Sequence, residues 1–192
     1  MMRVLTGFVL GVIATVLLGA GGVYTYFKRG MAPVATSARP MPFEKRLARM
    51  ALHARMAREM PSQAPIPPDE GNLVAGARVY VQHCAVCHGL PGGTQTAIAE
   101  GEFPKPPHLF RGKGVTDDPA GETYWKVANG IRLTGMPGFE KALSTDQMWQ
   151  VSLLLASADK LPAAAGAALA HGAPAENEGD AAKAAGPVVP AR

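Results

Sequence analysis

From Val4 to Phe27 the chain reads VLTGFVLGVIATVLLGAGGVYTYF, 24 residues without a charge. Coiled as a helix at about 1.5 Å per residue, that run is about 36 Å long, against a hydrocarbon core of about 30 Å. It is long enough to cross a bilayer with modest tilt. A cleaved leader would have an apolar region of only about 7–15 residues closed by an A-x-A-like site, and neither feature is present. Tyr24, Tyr26 and Phe27, followed by Lys28 and Arg29, make an interfacial belt of aromatic and basic residues. The expectation is a membrane anchor over residues 1–29 that contacts lipid through residues 4–27. Gly7 and Gly11 form a GxxxG that would suit a neighbouring helix.

The rest of the 192 residues divides by composition. Residues 1–69 carry 9 Lys/Arg against 3 Asp/Glu, whereas 70–160 carry 8 against 9. The formal charge of +4 therefore belongs to the N-terminal third. With no interleaving of basic and aromatic residues in 70–160, nothing favours nucleic acid as a partner. Residues 30–69 read as a linker. Within it FEKRLARMALHARMAREM (43–60) has strong helix formers and stops at Pro61. Phe43, Leu47, Met50 and Ala54 line one side of this predicted helix and Lys45, Arg46, Arg49 and His53 another, which suits either a solvated spacer or a surface for anionic lipid or an acidic partner. PSQAPIPPD then reads as a stiff, extended spacer. Residues 161–192, rich in Ala, Gly and Pro, have few large apolar side chains, so the composition predicts a disordered tail with a solvated His171.

About ninety residues, 70–160, remain to form one self-sufficient domain. Helical spacing predicts a first helix in EGNLVAGARVYVQH, with Leu73, Ala77 and Tyr80/Val81 on its apolar side. A second is expected in GETYWKVANG, ended by Gly130. A third is expected in STDQMWQVSLLLASAD, with Ser144 and Gln147 spaced as a capping box and Met148, Val151, Leu154 and Leu155 inward. Between the first two lies a long stretch broken repeatedly by Gly and Pro. A compact domain seldom keeps so long a loop unless it wraps something.

CAVCH, residues 84–88, contains both cysteines of the chain. Two thiols one helical turn apart can add to two vinyl groups on one porphyrin, with His88 placed beneath the iron; C-x-x-C-H is the attachment sequence of c-type haem. A thioredoxin-like pair would want a strand before it, and the approach here is helical. Zinc would need two further ligands, and only His83 and His108 are near. A simple disulfide would explain neither His88 nor the long loop. One covalent haem c is the cofactor expected.

With these residues in view, 70–157 resembles the short monohaem class I c-type cytochromes. The resemblance rests on Gly76 and Tyr80, on Cys84-Cys87-His88, on PPHL at 106–109, on NGIRLTGMPGF at 129–139 and on the closing helix with Trp149. It implies an all-α fold in which the first and last helices cross, and one-electron transfer rather than catalysis on a substrate. It also implies that the Pro107 carbonyl accepts a hydrogen bond from His88 and that Leu109 belongs to the haem site. The anchor, the basic helix and the tail are departures, so partner and location do not follow from soluble members.

The second axial ligand separates a carrier from an enzyme. Downstream of CAVCH the methionines are Met136 and Met148. Met148 falls on the apolar side of a helix, where core packing explains it. Met136, in TGMPGF, precedes Pro137 and is flanked by Gly135 and Gly138, which gives a stiff loop able to approach a flat ligand. His108 is the rival ligand. His88 with Met136 would fill both axial positions and raise the potential, as suits a carrier. The expected role is a tethered electron carrier of a periplasmic respiratory or photosynthetic chain, or else a fixed haem subunit of a membrane oxidoreductase. Its partners would be membrane-embedded or periplasmic redox proteins. Covalent haem of this kind implies the outer face of the bacterial cytoplasmic membrane. The positive flank after the anchor argues the opposite orientation.

Overall fold

The computed structural model describes residues 2–112 and 116–171, and all regular structure among them is helical. The chain falls into two units, Met1–His53 and the part from Ala54 onward. In the first, α1 (Met2–Lys28) is one unbroken helix without a buried residue, long and apolar enough to cross a membrane. Its polar side chains turn inward on its own backbone: the Thr6 and Thr15 hydroxyls donate to Met2 O and Gly11 O at 2.9 Å. Among the described residues nothing lies within 4 Å of a side chain added at Gly7 or Gly11, so none of them covers the GxxxG face.

Helix α2 (Glu44–Glu59) forms where the sequence predicts it, but its expected apolar side is not a packed one. Phe43, Leu47 and Met50 are exposed, while Met56, outside that set, is only 2 % exposed. The reason lies beyond the helix. After α2 the chain turns so that the Pro61 carbonyl lies against Gly121, where a Cβ would collide with it. The Trp125 indole N–H donates to Glu59 at 3.1 Å, and Ala64 and Ile66 pack on the core. The second unit begins at Ala54, so 54–69 belong with it rather than to a linker over all of 30–69 that ends in a stiff, extended spacer.

Helix α3 (Glu70–His83) starts at Asp69, whose carboxylate accepts the Asn72 N–H at 2.9 Å. A short α4 (Ala85–His88) follows it at once. The long Gly/Pro-rich stretch contains one short helix, α5 (Ala97–Gly101), capped by Thr96. Then come α6 (Ala120–Asn129), ended by Gly130 at φ 67°, and α7 (Thr145–Ala156), which opens with the Ser144/Gln147 capping box expected from the sequence. Helices α3 and α7 pack so closely at Gly76 that a Cβ there would run into the Gln150 carbonyl. Leu73, Ala77 and Tyr80 of α3 meet Val151, Leu154 and Leu155 of α7 in one core, which α6 joins through Val127. Fully burying one such large side chain stabilises the fold by about 1.5–3 kcal/mol. Tyr124 stacks on Trp149 at 4.2 Å.

A further helix, α8 (Ala163–Ala170), packs on α3 and buries Ala165 and Leu169. It corrects the expectation of disorder from residue 161. Small alanines let the helix approach closely, so a single leucine supplies enough apolar surface. His171, exposed as expected, bonds through Nδ1 to Ala167 O at 2.7 Å. The rest of the expected tail lies outside the described residues.

Candidate functional site

Cys84 ends α3 and begins α4: its N–H donates to Tyr80 O at 2.8 Å, and its own carbonyl accepts from His88 N at 2.9 Å. That turn brings both thiols and the imidazole together at the end of the α3 rod, which the α7 contact fixes. Both cysteines are free and half-buried. Burial, then the proximity of Cys87, pushes the Cys84 thiol up to about 12. Burial, then the Glu102 carboxylate, pushes Cys87 up to about 11. Both sulfurs are thus held as thiols.

His88 Nδ1 lies 2.8 Å from Pro107 O. A carbonyl can only accept, so Nδ1 carries the hydrogen and Nε2 keeps a free lone pair, the state a metal-binding imidazole requires. Burial lowers the His88 pKa and keeps the ring neutral. Pro107 is set in place by Gln95, whose amide donates to Pro106 O at 2.6 Å and to Cys87 O at 3.5 Å. Tyr80 adds a second brace, its hydroxyl donating to Gly89 O at 2.6 Å while Phe110 meets its ring edge-on at 5.0 Å. Leu109 and Phe110 are half-buried against the core.

Met136 stands in a loop tied at both ends. Ile131 N donates to Met136 O at 3.1 Å, Met136 N to the Thr134 hydroxyl at 3.1 Å, and beyond the loop Phe139 N to Val127 O at 2.9 Å. The loop backbone passes over Gly130, where a Cβ would lie 2.6 Å from Pro137 C. Leu133 within it is 91 % exposed and takes a left-handed φ of 61°. The Met136 side chain is half-buried, whereas Met148 is 3 % exposed in the core, as its helical position suggests. One residue ties this loop to the cysteines: Glu102 Oε1 accepts from Cys87 Sγ at 3.2 Å, and the same carboxylate fills the space a Gly135 side chain would need.

His108, the rival ligand, has both ring nitrogens engaged, with Phe110 N–H on Nδ1 at 3.3 Å and Gly93 O at Nε2, also at 3.3 Å. His83 points at Phe139 instead, 6.0 Å between ring centroids. Among the described residues no three His, Cys, Asp or Glu side chains converge as a metal site would require. What the structure places on one turn is two thiols and one neutral imidazole with a free nitrogen, and Glu102 lies between Cys87 and the loop that carries Met136. That donor set fits covalent haem.

Residues 71–153 match the family model described as cytochrome c oxidase, cbb3-type, subunit III. Cytochrome c6 of Limnospira maxima is 34% identical over 82 residues, which are 43% of this chain and 88% of that protein. The chain belongs to the monohaem class I c-type cytochromes. A cytochrome of this family carries one covalently bound haem c and transfers electrons, and the apolar α1 is consistent with a membrane anchor. A chain of the Kuenenia stuttgartiensis reducing HAO-like protein complex matches over 52% of this chain and 49% of its own length, at 23% identity and a TM-score of 0.38.

Gln95, Glu102 and the Tyr80 hydroxyl were not among the site residues expected from the sequence. Only Tyr80 left a signal there, as a buried tyrosine one turn before the first cysteine whose hydroxyl would need a partner.

Proposed function

We propose that this cytochrome is a membrane-tethered one-electron carrier, in which Cys84 and Cys87 would bond the haem and His88 and Met136 would hold its iron. The observation that carries the reading is the His88–Pro107 hydrogen bond of 2.8 Å, which leaves Nε2 free and aimed by a fixed ring. The haem supplies the one-electron couple. The chain orients His88 through Pro107 and Gln95, holds Met136 on its tied loop, and excludes water with Leu109, Phe110 and Met136 packed on the core. His88 and Met136 would both hold the haem iron, which would leave no ligand position for a substrate. The domain lies on the periplasmic side of the bacterial cytoplasmic membrane, because this mode of haem attachment belongs there. The tether raises its effective concentration near membrane-embedded or periplasmic redox partners. The basic residues of α2 offer a surface for anionic lipid or an acidic partner.

A second reading, a fixed haem subunit of a membrane oxidoreductase, draws support from the oxidase subunit in the matching family model. It requires that the protein leave mild detergent as part of a stable complex, where a mobile carrier would emerge alone.

The test of the haem site is covalent colour. Denaturing gels stained for haem should show the full-length chain, and Cys84→Ser with Cys87→Ser should remove the stain. A wild-type chain that stays colourless beside working attachment machinery would overturn the reading.

A further inference from the structure

Among the described residues, Glu102 is the one acidic side chain hydrogen-bonded to an attachment cysteine, and nothing in the electron-transfer reading requires it. It is half-buried, Oε1 accepts from Cys87 Sγ at 3.2 Å, and its carboxylate lies against Gly135, the residue before Met136. Among the described residues it forms no ion pair. Lys105 is taken by Glu100 at 2.6 Å, and Lys126 by Glu122 and Asp118 at 2.7 and 3.5 Å, while Arg111 donates to Gly93 O at 2.8 Å. A side chain at residue 135 would meet the tip of the Glu102 side chain, which would have to turn aside.

We propose that Glu102 sets the reduction potential, its negative charge beside the Cys87 sulfur favouring the oxidised over the reduced cofactor. The proposal rests on the reading that Cys87 carries the thioether. Bonding to haem replaces the thiol hydrogen with carbon, so the carboxylate loses its hydrogen-bond donor and keeps its charge, now next to the macrocycle edge. Oxidation adds one positive charge to the cofactor. An anion that forms no ion pair among the described residues, and that is partly screened from water, stabilises that charge more than it would in bulk solvent.

The experiment is a potentiometric titration of the purified full-length protein in detergent, followed by its visible spectrum, for wild type and for Glu102→Gln, Glu102→Met and Glu102→Asp. Both neutral variants should show about a tenfold higher ratio of reduced to oxidised haem at a fixed ambient potential. For one electron that is a rise of about 59 mV. The aspartate variant, which keeps the charge, should remain nearer wild type. Two neutral replacements of different polarity guard against one that assembles poorly. Neutral variants that titrate with wild type, or below it, would overturn the proposal, as would an aspartate variant that rises as far as they do. Failure of the axial reading has a different mark: the far-red band of methionine-ligated ferric haem would be missing from wild type. The Glu102 comparison would still hold, since Cys87 fixes the haem edge whatever the sixth ligand is.

Discussion

In the proposed site, His88 and Met136 would be held toward one iron by different means. His88 is oriented by a single strong hydrogen bond, whereas Met136 has a weak donor atom and relies on a loop whose backbone is tied to α6 and to itself. Removing the thioether should therefore leave the loop and the haem in place and change only the iron. Met136→Ala is expected to keep its haem stain, lose the far-red band and bind carbon monoxide when reduced. Its potential should fall by roughly 100 mV or more, a modest share of the about 0.8 V that axial ligands span. Visible spectroscopy with a redox titration checks this, and the same changes in Met148→Ala instead would move the ligand to Met148. At this scale the sequence was most informative where the chemistry is local. Cys84, Cys87 and His88 share one turn, and Met136 has its own Pro and Gly neighbours. Gln95 and Glu102 act across 8 to 15 residues through ordinary polar side chains, and no spacing marks such contacts in advance.

The helices α3, α6 and α7 were legible because their apolar residues repeat at helical spacing and their ends carry recognisable caps. Two elements were not. Helix α8 is mostly alanine, so composition resembles a flexible tail, yet the small side chains are what lets it lie against α3. The end of α2 falls before Pro61 as expected, but the packing of its last turn was not legible, because periodicity gives the face of a helix and not the place where the chain later folds back. Pro61 returns the backbone to α6, and Met56, Ala64 and Ile66 are covered as a result. The consequence is testable with soluble forms of the haem domain. One beginning at Ala54 should be fully stable. One beginning at Asp69 loses Met56 and its neighbours, which costs about 2 kcal/mol for the methionine alone, and its Tm should drop by roughly 8 °C. Thermal unfolding followed by circular dichroism decides it. Equal melting of the two forms would show that residues 54–68 contribute nothing to the fold and restore the boundary at 70.

For the molecule as a whole, the proposed division into a tether and a redox unit rests on two facts of the sequence, an uncharged run of 24 residues and a near-neutral block containing every proposed haem-site residue. The family and its cofactor followed from five residues, CAVCH, and from the motifs around them. What the sequence could not supply is the identity of donor and acceptor, because redox partners are selected by surface shape and charge over distances that no motif spans. The electron count of the cofactor is fixed more firmly than any partner. Potentiometric titration of the purified full-length protein, with covalent haem and polypeptide measured on the same sample, tests it directly. The expected result is one haem per chain and a single one-electron Nernst wave that accounts for all of it. A second wave, a slope of two electrons, or haem that washes out on denaturation would contradict a monohaem one-electron carrier.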